Sequence, residues 1–234
     1  LLRATLDEAG LALKDVEVIF RGVPAIPTQR LGGKTGGRIV FGPDGSLFVS
    51  TGDRSDSPPW AVAQQLDNHL GKILHLTPEG KPAPDNPFLQ TPGALPEIWA
   101  YGIRNAEGLA ADPAKGLMWE NEHGPRGGDE LNVIERGKNY GWPVVSYGRD
   151  YAGPRIPDNP YREGWELPVV FWVPAIAVSG MEFYTGDRFP NWKNNMFVGS
   201  MRIGEILGTG HLQRIVFNER NEELRREMLL TELH

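Results

Sequence analysis

The chain has 234 residues, of which 40% are hydrophobic and 23% charged, and its formal net charge is −6. This balance is ordinary for a globular domain; the scattered basic residues exclude a nucleic-acid footprint, and no run approaches the roughly eighteen apolar residues of a membrane span. The absence of cysteine excludes disulfides, thiolate metal sites and cysteine nucleophiles, and it is consistent with an oxidising compartment.

The first predicted elements are short strands joined by tight turns. Residues 16–20 alternate in polarity as a strand does. The clearest hairpin follows, because residues 37–41 and 46–51 flank a Gly-Pro-Asp-Gly turn, in which proline fixes one φ angle and glycine supplies a positive one. One helical turn at 61–68 and a strand at 72–77 come next.

The hairpin recurs twice in weaker form along the chain. The three copies begin at Gly37, Glu107 and Ser179, about seventy residues apart, and short-strand hairpins at a long fixed period are typical of β-propeller blades. We therefore predict an all-β fold, a single and partial β-propeller domain over 1–234. Further strands are predicted at 131–134, 205–207, 213–217 and 226–230, whereas the charged stretch 219–226 could equally be helical.

One stretch, residues 120–143, combines acids, amides, glycines and prolines with a single short apolar strand. Calcium prefers six to eight oxygen ligands from carboxylates and backbone carbonyls, and glycine lets the main chain turn its carbonyls inward. The composition therefore indicates an oxygen-ligand loop, although it is equally typical of a polar surface turn. Elsewhere there is no Walker loop, no Gly-x-Ser-x-Gly elbow and no GxGxxG after a strand.

Four segments carry a family resemblance. The most specific is the pair Glu-His-Gly-Pro-Arg-Gly-Gly-Asp-Glu-Leu-Asn at 122–132 and Asn-Tyr-Gly-Trp-Pro at 139–143. The others are Gly-Gly-Arg-Ile-Val-Phe-Gly-Pro-Asp-Gly at 36–45, Tyr-Gly-Ile-Arg-Asn-Ala-Glu-Gly-Leu-Ala at 101–110 and Val-Ser-Gly-Met-Glu-Phe-Tyr at 178–184. Over nearly its whole length the chain resembles the soluble PQQ-dependent aldose sugar dehydrogenases, the glucose/sorbosone dehydrogenase family. The resemblance implies a six-bladed β-propeller, of which about three to four blades are present.

The resemblance implies a PQQ cofactor, a planar ortho-quinone with three carboxylates. Arg104 and Asn105 stand where the family's Arg-Asn pair holds PQQ, and the guanidinium fork suits a carboxylate or a quinone oxygen. Without the motif, Arg104 would be an ordinary surface arginine. Further cofactor contacts of the family fall on Tyr151, Ser200, Met201 and Arg202, although Tyr151 could instead be a half-buried blade tyrosine.

The resemblance also implies two calcium ions. One lies on the cofactor, is held by the main-chain carbonyls of Gly124 and Pro125, and would act as a Lewis acid on the quinone. The second is structural, with Glu130 and the carbonyl of Tyr140 as ligands and Asp129 as an additional oxygen. The alternative for Glu130 is an exposed glutamate at a strand edge.

The sequence departs from the family at the catalytic base. The family's proton acceptor is a histidine shortly before the Gly-Arg of the first hairpin, and Lys34 takes that position here, with Arg104 as the second predicted catalytic residue. An aqueous lysine titrates near 10.4, so its neutral form at pH 7 costs about 4.6 kcal/mol, comparable with the roughly 10²–10⁴-fold rate loss on removing a general base. Three interpretations of Lys34 follow. Lys34 is a base with a depressed pKa, the protein is a redox-impaired relative that still binds PQQ, or Lys34 is an isolated substitution.

The predicted function is oxidation of an aldose at its anomeric carbon to the lactone, with electrons passed to an external acceptor. By resemblance the protein is periplasmic or secreted. Two alternatives stay open. One is a non-catalytic propeller that is stabilised by calcium and binds a carbohydrate or a partner. The other is a propeller lactone hydrolase, which would need a cluster of acidic residues around one axial metal. Open sheet edges in a partial ring would favour dimerisation or aggregation.

Overall fold

The structure, a computed structural model, describes residues 1–26, 33–54, 60–156 and 159–232. In these residues the chain forms fourteen β-strands and two short 3₁₀ helices, neither of which has the length and apolar character of a membrane span. The 3₁₀ helices are Trp60–Gln64 and Pro190–Trp192, and the strands are β1 Leu2–Asp7, β2 Ala12–Val18, β3 Gly36–Phe41, β4 Leu47–Thr51, β5 Lys72–Leu76, β6 Ile98–Tyr101, β7 Ala106–Ala111, β8 Met118–Glu122, β9 Asp129–Ile134, β10 Val170–Trp172, β11 Val178–Phe183, β12 Met196–Ser200, β13 His211–Phe217 and β14 Glu223–Leu229.

The strands form four antiparallel sheets whose order follows the chain. Strands β3 to β6, β7 to β10 and β11 to β14 make three four-stranded sheets, and β1 pairs with β2. The first strands of the three sheets begin at Gly36, Ala106 and Val178, each one residue from its predicted start, and they contact one another in succession. This is the arrangement of propeller blades, so the predicted propeller is confirmed, with three four-stranded blades and a two-stranded hairpin.

The turn between β3 and β4 forms as its residues require. Gly42 donates its N–H to the Ser46 carbonyl at 2.8 Å, and Gly45 has a φ of +83°, a conformation that glycine adopts without a steric penalty. The chain therefore reverses within four residues. This brings β4 back beside β3 in the register that buries its apolar side chains.

Two buried apolar clusters join consecutive blades. Phe48 and Ile73 of the first blade share one cluster with Met118 of the second. Trp119 of the second blade shares another with Val198 of the third. Removal of these side chains from water fixes the blades against each other, which also fixes the strand ends that carry the motif residues.

The predicted strand map is wrong in several details. Residues 205–207 form no strand, since only an isolated bridge joins Ile203 to Ile206. The charged stretch considered as a possible helix enters strand β14, which pairs with β13. Strands β1, β6 and β10 were not predicted. The outer strand β14 is exposed along most of its length, so it lacks the apolar alternation by which a half-buried strand is recognised.

Lys72 in β5 is fully buried and ties a loop to the first blade. Its Nζ donates to the carbonyls of Val62 and Ala63, both at 3.1 Å, and to that of Leu70 at 2.5 Å. Burial lowers the pKa of Lys72 to about 7, and the charges of Asp67 and Asp53 oppose this shift. Each proton of the Lys72 ammonium group therefore has a backbone carbonyl as acceptor in a buried environment.

We expect Lys72→Met to lower the free energy of unfolding by about 3 kcal/mol, because buried carbonyls lose their donor. Between pH 7 and pH 10.5 the unfolded chain holds the extra proton, so the stabilisation by Lys72 should rise with pH across that window. Urea denaturation followed by tryptophan fluorescence measures both effects. Lys81→Met, at an exposed position, is the control, and equal stability of the two variants would contradict the assignment.

Candidate active site

A cleft of about 800 Å³ opens between the second and third blades. Its walls come from the segment after β8, the long connection between β9 and β10, the link between β10 and β11, and the segment after β12. These are loops at strand ends, where side chains from different blades can meet. The predicted site residues that line the cleft are Gly124, Pro125, Tyr151, Met201 and Arg202.

Arg104 is buried immediately before β7 and is held from several sides. Its Nη1 donates to the carbonyls of His123 at 2.9 Å and Gly124 at 2.7 Å, and its Nη2 lies 3.5 Å from the Tyr151 hydroxyl. The guanidinium carbon lies 5.2 Å from the centre of the Trp142 ring. The buried Nε–H has no partner among the described residues. The side chain is therefore pre-positioned with one donor unused, which fits a ligand rich in acceptor oxygens.

Asn105, the other half of the Arg-Asn pair, makes contacts within the protein. Its Oδ1 accepts from the Gly36 N–H at 3.1 Å, and its Nδ2 donates to Glu107 Oε1 at 2.6 Å. Gly36 starts β3 and Glu107 lies in β7, so Asn105 links the first strands of two blades next to Arg104. The structure thus gives Asn105 a positioning role, and direct contact with a cofactor stays a prediction.

Lys34 stands at the entrance to β3 and faces an acid. Its backbone is left-handed, with a φ of 58°, and its Nζ lies 3.9 Å from Asp53 Oδ1. The other Asp53 oxygen accepts from Trp142 Nε1 at 2.7 Å, and the Asp53 N–H donates to the Arg104 carbonyl at 2.8 Å. Because an adjacent carboxylate favours the charged form of a lysine, Asp53 opposes the deprotonation that a lysine base requires.

Asp129 organises the loop that carries Gly124 and Pro125. Its Oδ1 accepts from the Gly124 N–H at 3.0 Å, and its Oδ2 accepts from those of Ile176 at 2.9 Å and Val178 at 3.3 Å. Burial raises the pKa of Asp129, while the charge of His123 and the backbone N–H groups of Gly124, Val178 and Ala177 lower it. Both oxygens are thus taken up by backbone donors. The geometry favours a positioning role over the additional metal oxygen predicted from the sequence.

Asp129→Ala should lower the affinity of the chain for PQQ in calcium by at least about tenfold, because three N–H groups lose an acceptor and the loop that presents the Gly124 carbonyl loses its anchor. Titration of PQQ by absorbance measures it. Asp112→Ala is a matched control, since Asp112 also caps backbone N–H groups, those of Ala114 and Lys115, in the turn between β7 and β8. An equal loss of affinity in both variants would reduce Asp129 to a general stabiliser.

A second, much smaller cavity of about 10 Å³ is lined by Glu122, Glu130 and Tyr140, among others. It has room for about one water-sized sphere. Glu122 and Glu130 are direct partners across β8 and β9, and both are buried. Burial raises the pKa of Glu122 to about 7, and burial together with the Glu122 charge raises that of Glu130 well above its usual value. Two buried carboxylates so close together favour a proton or a cation between them.

The two predicted metal-ligand sets lie in neighbouring spaces that share Gly124. Gly124 and Pro125 line the large cleft, Glu130 and Tyr140 line the small cavity, and Gly124 and Arg104 line the small cavity as well. Among the described residues, no three His, Cys, Asp or Glu side chains are grouped so that they could hold a metal ion by themselves. Three of the four predicted ligands are backbone carbonyls, however, and oxygen donors beside buried carboxylates suit a hard divalent cation.

The end of β12 and the segment after it supply three predicted cofactor contacts, and these differ in how accessible they are to a ligand. Met201 is 57% exposed and lines the cleft. Arg202 also lines it, and its Nη2 forms an ion pair with Glu205 at 3.2 Å. The Ser200 hydroxyl is buried and donates to the Ile176 carbonyl at 2.8 Å. Met201 and Arg202 are therefore accessible to a ligand, whereas the Ser200 side chain serves the fold.

Comparison with known proteins identifies the family. A family model described as glucose/sorbosone dehydrogenase matches residues 1–234. The chain belongs to the glucose/sorbosone dehydrogenase family. The aldose sugar dehydrogenase YliI of Escherichia coli (strain K12) is 43% identical over 195 residues, which cover 82% of this chain and 51% of that protein.

Solved structures of similar proteins agree with this family assignment. A crystal structure of a glucose dehydrogenase superposes with a TM-score of 0.89 at 37% identity and covers 99% of this chain. The PQQ-bound aldose sugar dehydrogenase of Streptomyces coelicolor superposes with a TM-score of 0.73 at 31% identity and covers 98%. The chain spans 51% of YliI, and 64% and 58% of the two structures, respectively.

Three residues of the site were not singled out from the sequence. Asp53 pairs with Lys34, Trp142 bridges Asp53 and Arg104, and Glu122 accepts from the Arg104 N–H. Trp142 and Glu122 lie inside the segments that carry the family resemblance, and that is the only signal for them. Nothing in the local pattern around Asp53 separates it from an ordinary loop acid.

Proposed function

We propose that this chain provides the cofactor site of a quinoprotein that oxidises an aldose at its anomeric carbon to the lactone, with PQQ and calcium and with an external electron acceptor. The observation that carries the proposal is the buried Arg104 fork, held against the Gly124 carbonyl beside a cleft of about 800 Å³. The family membership and a relative solved with PQQ support the choice of cofactor. A periplasmic or secreted location belongs to the same proposal.

The residues of the chain divide the work of binding. When bound, PQQ supplies a quinone that takes a hydride, and calcium supplies Lewis-acid polarisation. Arg104, Tyr151 and Arg202 would bind the anionic and quinone oxygens, and the carbonyls of Gly124 and Pro125 would hold the calcium ion on the cofactor. A second calcium ion would lie with Glu130 and the Tyr140 carbonyl and would neutralise the buried acids of the small cavity.

Proton removal is the weak step of this site. The anomeric hydroxyl of the sugar must lose its proton as a hydride leaves the anomeric carbon, and Lys34 takes the position of the base. Because Asp53 lies 3.9 Å from Lys34 Nζ, the ammonium form is favoured. We therefore propose a chain that binds PQQ but turns over slowly. The same ion pair favours the second candidate, a non-catalytic propeller that keeps a ligand site.

Loading the chain with PQQ tests the proposal. Apo protein is titrated with PQQ in calcium, and separately in a calcium chelator, while the quinone absorbance is followed; an aldose and a neutral dye acceptor are then added. We expect calcium-dependent uptake of PQQ and slow bleaching of the dye. Uptake without any bleaching, even after Lys34→His, would favour the non-catalytic propeller. No uptake would remove the quinoprotein proposal for this chain.

A further inference from the structure

Three arginines stand side by side on an irregular ribbon at the edge of the cleft. Arg126 and Arg149 exchange both backbone hydrogen bonds, at 2.9 and 3.0 Å, and Arg149 is bridged in turn to Arg155. Residues directly opposite in an antiparallel pair point to the same face, with their Cβ atoms about 5 Å apart. The ribbon, which we call the arginine ledge, therefore carries three arginine side chains on one face with their Cβ atoms within roughly 10 Å. Nη1 of Arg149 donates to the Gly153 carbonyl at 3.4 Å.

The charges of the arginine ledge are not neutralised within the part of the chain that the structure describes. Arg126, Arg149 and Arg155 are all exposed, and no described carboxylate forms an ion pair with any of them. The carboxylate of Asp150 accepts from the Ala152 N–H at 2.7 Å and closes the turn of the ribbon. Like charges directly opposite each other destabilise a pair of strands. The ledge is thus a local positive surface on a chain whose net charge is −6.

Apolar surface borders the ledge at the mouth of the same cleft. Arg126 and Tyr151 line the cleft together with Val173, Met201 and Leu207, whose side chains are 62%, 57% and 82% exposed. Arginine, tyrosine and methionine are residue types enriched in protein–protein interfaces. A small anion would use the guanidinium groups alone and leave the apolar rim in water. A protein with an acidic and partly apolar face would cover both.

We propose that the arginine ledge docks an electron-accepting protein with an acidic face. The inference rests on the proposed function for the nature of the partner, because oxidation of one aldose releases two electrons and two protons at this cleft. A one-haem cytochrome takes one electron, so each turnover needs two encounters, and the two protons pass to solvent. Complementary charge at the rim raises the rate of such encounters more than it raises the final affinity.

The first test measures binding and needs no turnover. Surface plasmon resonance compares an acidic and a basic c-type cytochrome on the immobilised cofactor-free chain. We expect the acidic one to bind at low ionic strength, and Arg149→Gln/Arg155→Gln to slow its association at least about tenfold. The difference should vanish near 1 M salt, where the Debye length is about 3 Å. Arg126 stays unchanged because it lines the cleft. Arg188→Gln/Arg225→Gln removes the same charge from exposed positions outside the cleft and should bind normally.

The second test separates the ledge from the reaction. In the PQQ- and calcium-loaded chain, the ledge variant should slow reduction of the acidic cytochrome and leave reduction of a neutral dye unchanged. If the unmodified chain did not reduce the dye, that result would count against the proposed function. The binding measurement would still show whether the acidic cytochrome docks at the arginine ledge. Two binding results would contradict docking at the arginine ledge: equal effects of the two double variants, or equal binding of the basic cytochrome. A third would be a slowing of ferricyanide reduction as strong as that of cytochrome reduction, because it would indicate that the ledge attracts small anions instead.

Discussion

Lys34→His is expected to raise the dye-linked oxidation of an aldose by the PQQ- and calcium-loaded chain by about 10²–10⁴-fold, the usual contribution of a general base. A lysine beside Asp53 is held as an ammonium ion, whereas histidine has an ordinary pKa near 6.5 and keeps an available nitrogen at neutral pH. The gain should lie in kcat, since PQQ uptake does not depend on the base. Steady-state kinetics at saturating PQQ measure the effect.

Two controls make the Lys34 result specific. Lys34→Met removes the charge without adding a base, so it should not raise turnover; an equal gain in that variant would show that relief of the ion pair, and not a base, was responsible. In the Lys34→His background, Asp53→Asn should shift the pH profile of kcat to lower pH, because the carboxylate that favours imidazolium is gone. An unshifted profile would mean that Asp53 does not act on residue 34.

Arg104→Met should lower PQQ affinity by at least about 30-fold, which corresponds to the lower end of the roughly 2–5 kcal/mol lost when one partner of a buried charged contact is removed. The physical reason is twofold, since the fork that would bind the cofactor disappears and the carbonyls of His123 and Gly124 lose their donor. Absorbance titration with PQQ in calcium measures the affinity. Thermal unfolding of the apo protein separates loss of the site from loss of the fold.

Arg104→Lys is the matched control for that variant. Lysine keeps the positive charge but cannot reproduce two parallel donors in a plane, so we expect it to recover only part of the affinity. Full recovery would show that charge alone holds the cofactor. If Arg104→Met bound PQQ as well as the unmodified chain, Arg104 would have no part in the site, and the central observation behind the proposed function would be lost.

Much of the fold could be predicted because the signals for it are local. The Gly-Pro-Asp-Gly turn needs only four residues to specify its dihedral angles, and the recurrence of the short-strand hairpin after about seventy residues marks each new blade. Strands such as β6 and β10 escaped prediction, as they span only four and three residues and are recognised by their neighbours in the sheet. The start of the charged strand β14 was left open as a possible helix, because the strand is exposed and shows no apolar alternation.

The candidate site was predictable in its parts and not in its connections. Gly124, Pro125, Glu130 and Tyr140 came from one stretch of sequence, but only the fold places Pro125 at the large cleft, Glu130 and Tyr140 at the small cavity, and Gly124 at both. Asp129, predicted as a possible metal oxygen, accepts the Gly124 N–H of its own loop on Oδ1 and the N–H groups of Ile176 and Val178 on Oδ2. The partners Ile176 and Val178 cannot be predicted from the sequence around Asp129, because they lie in β11 and immediately before it.

The sequence by itself determined the blade repeat, the turn chemistry and the oxygen-rich loop, and by resemblance it put Lys34 where the family's catalytic histidine is expected. Tertiary structure alone decided that Lys34 faces Asp53, that Trp142 joins Asp53 to Arg104, and that three arginines share one face beside the cleft. The physical reason is range. Dihedral preferences and alternation act over a few residues, whereas charge interactions depend on distances in space between residues that the packing of whole blades brings together.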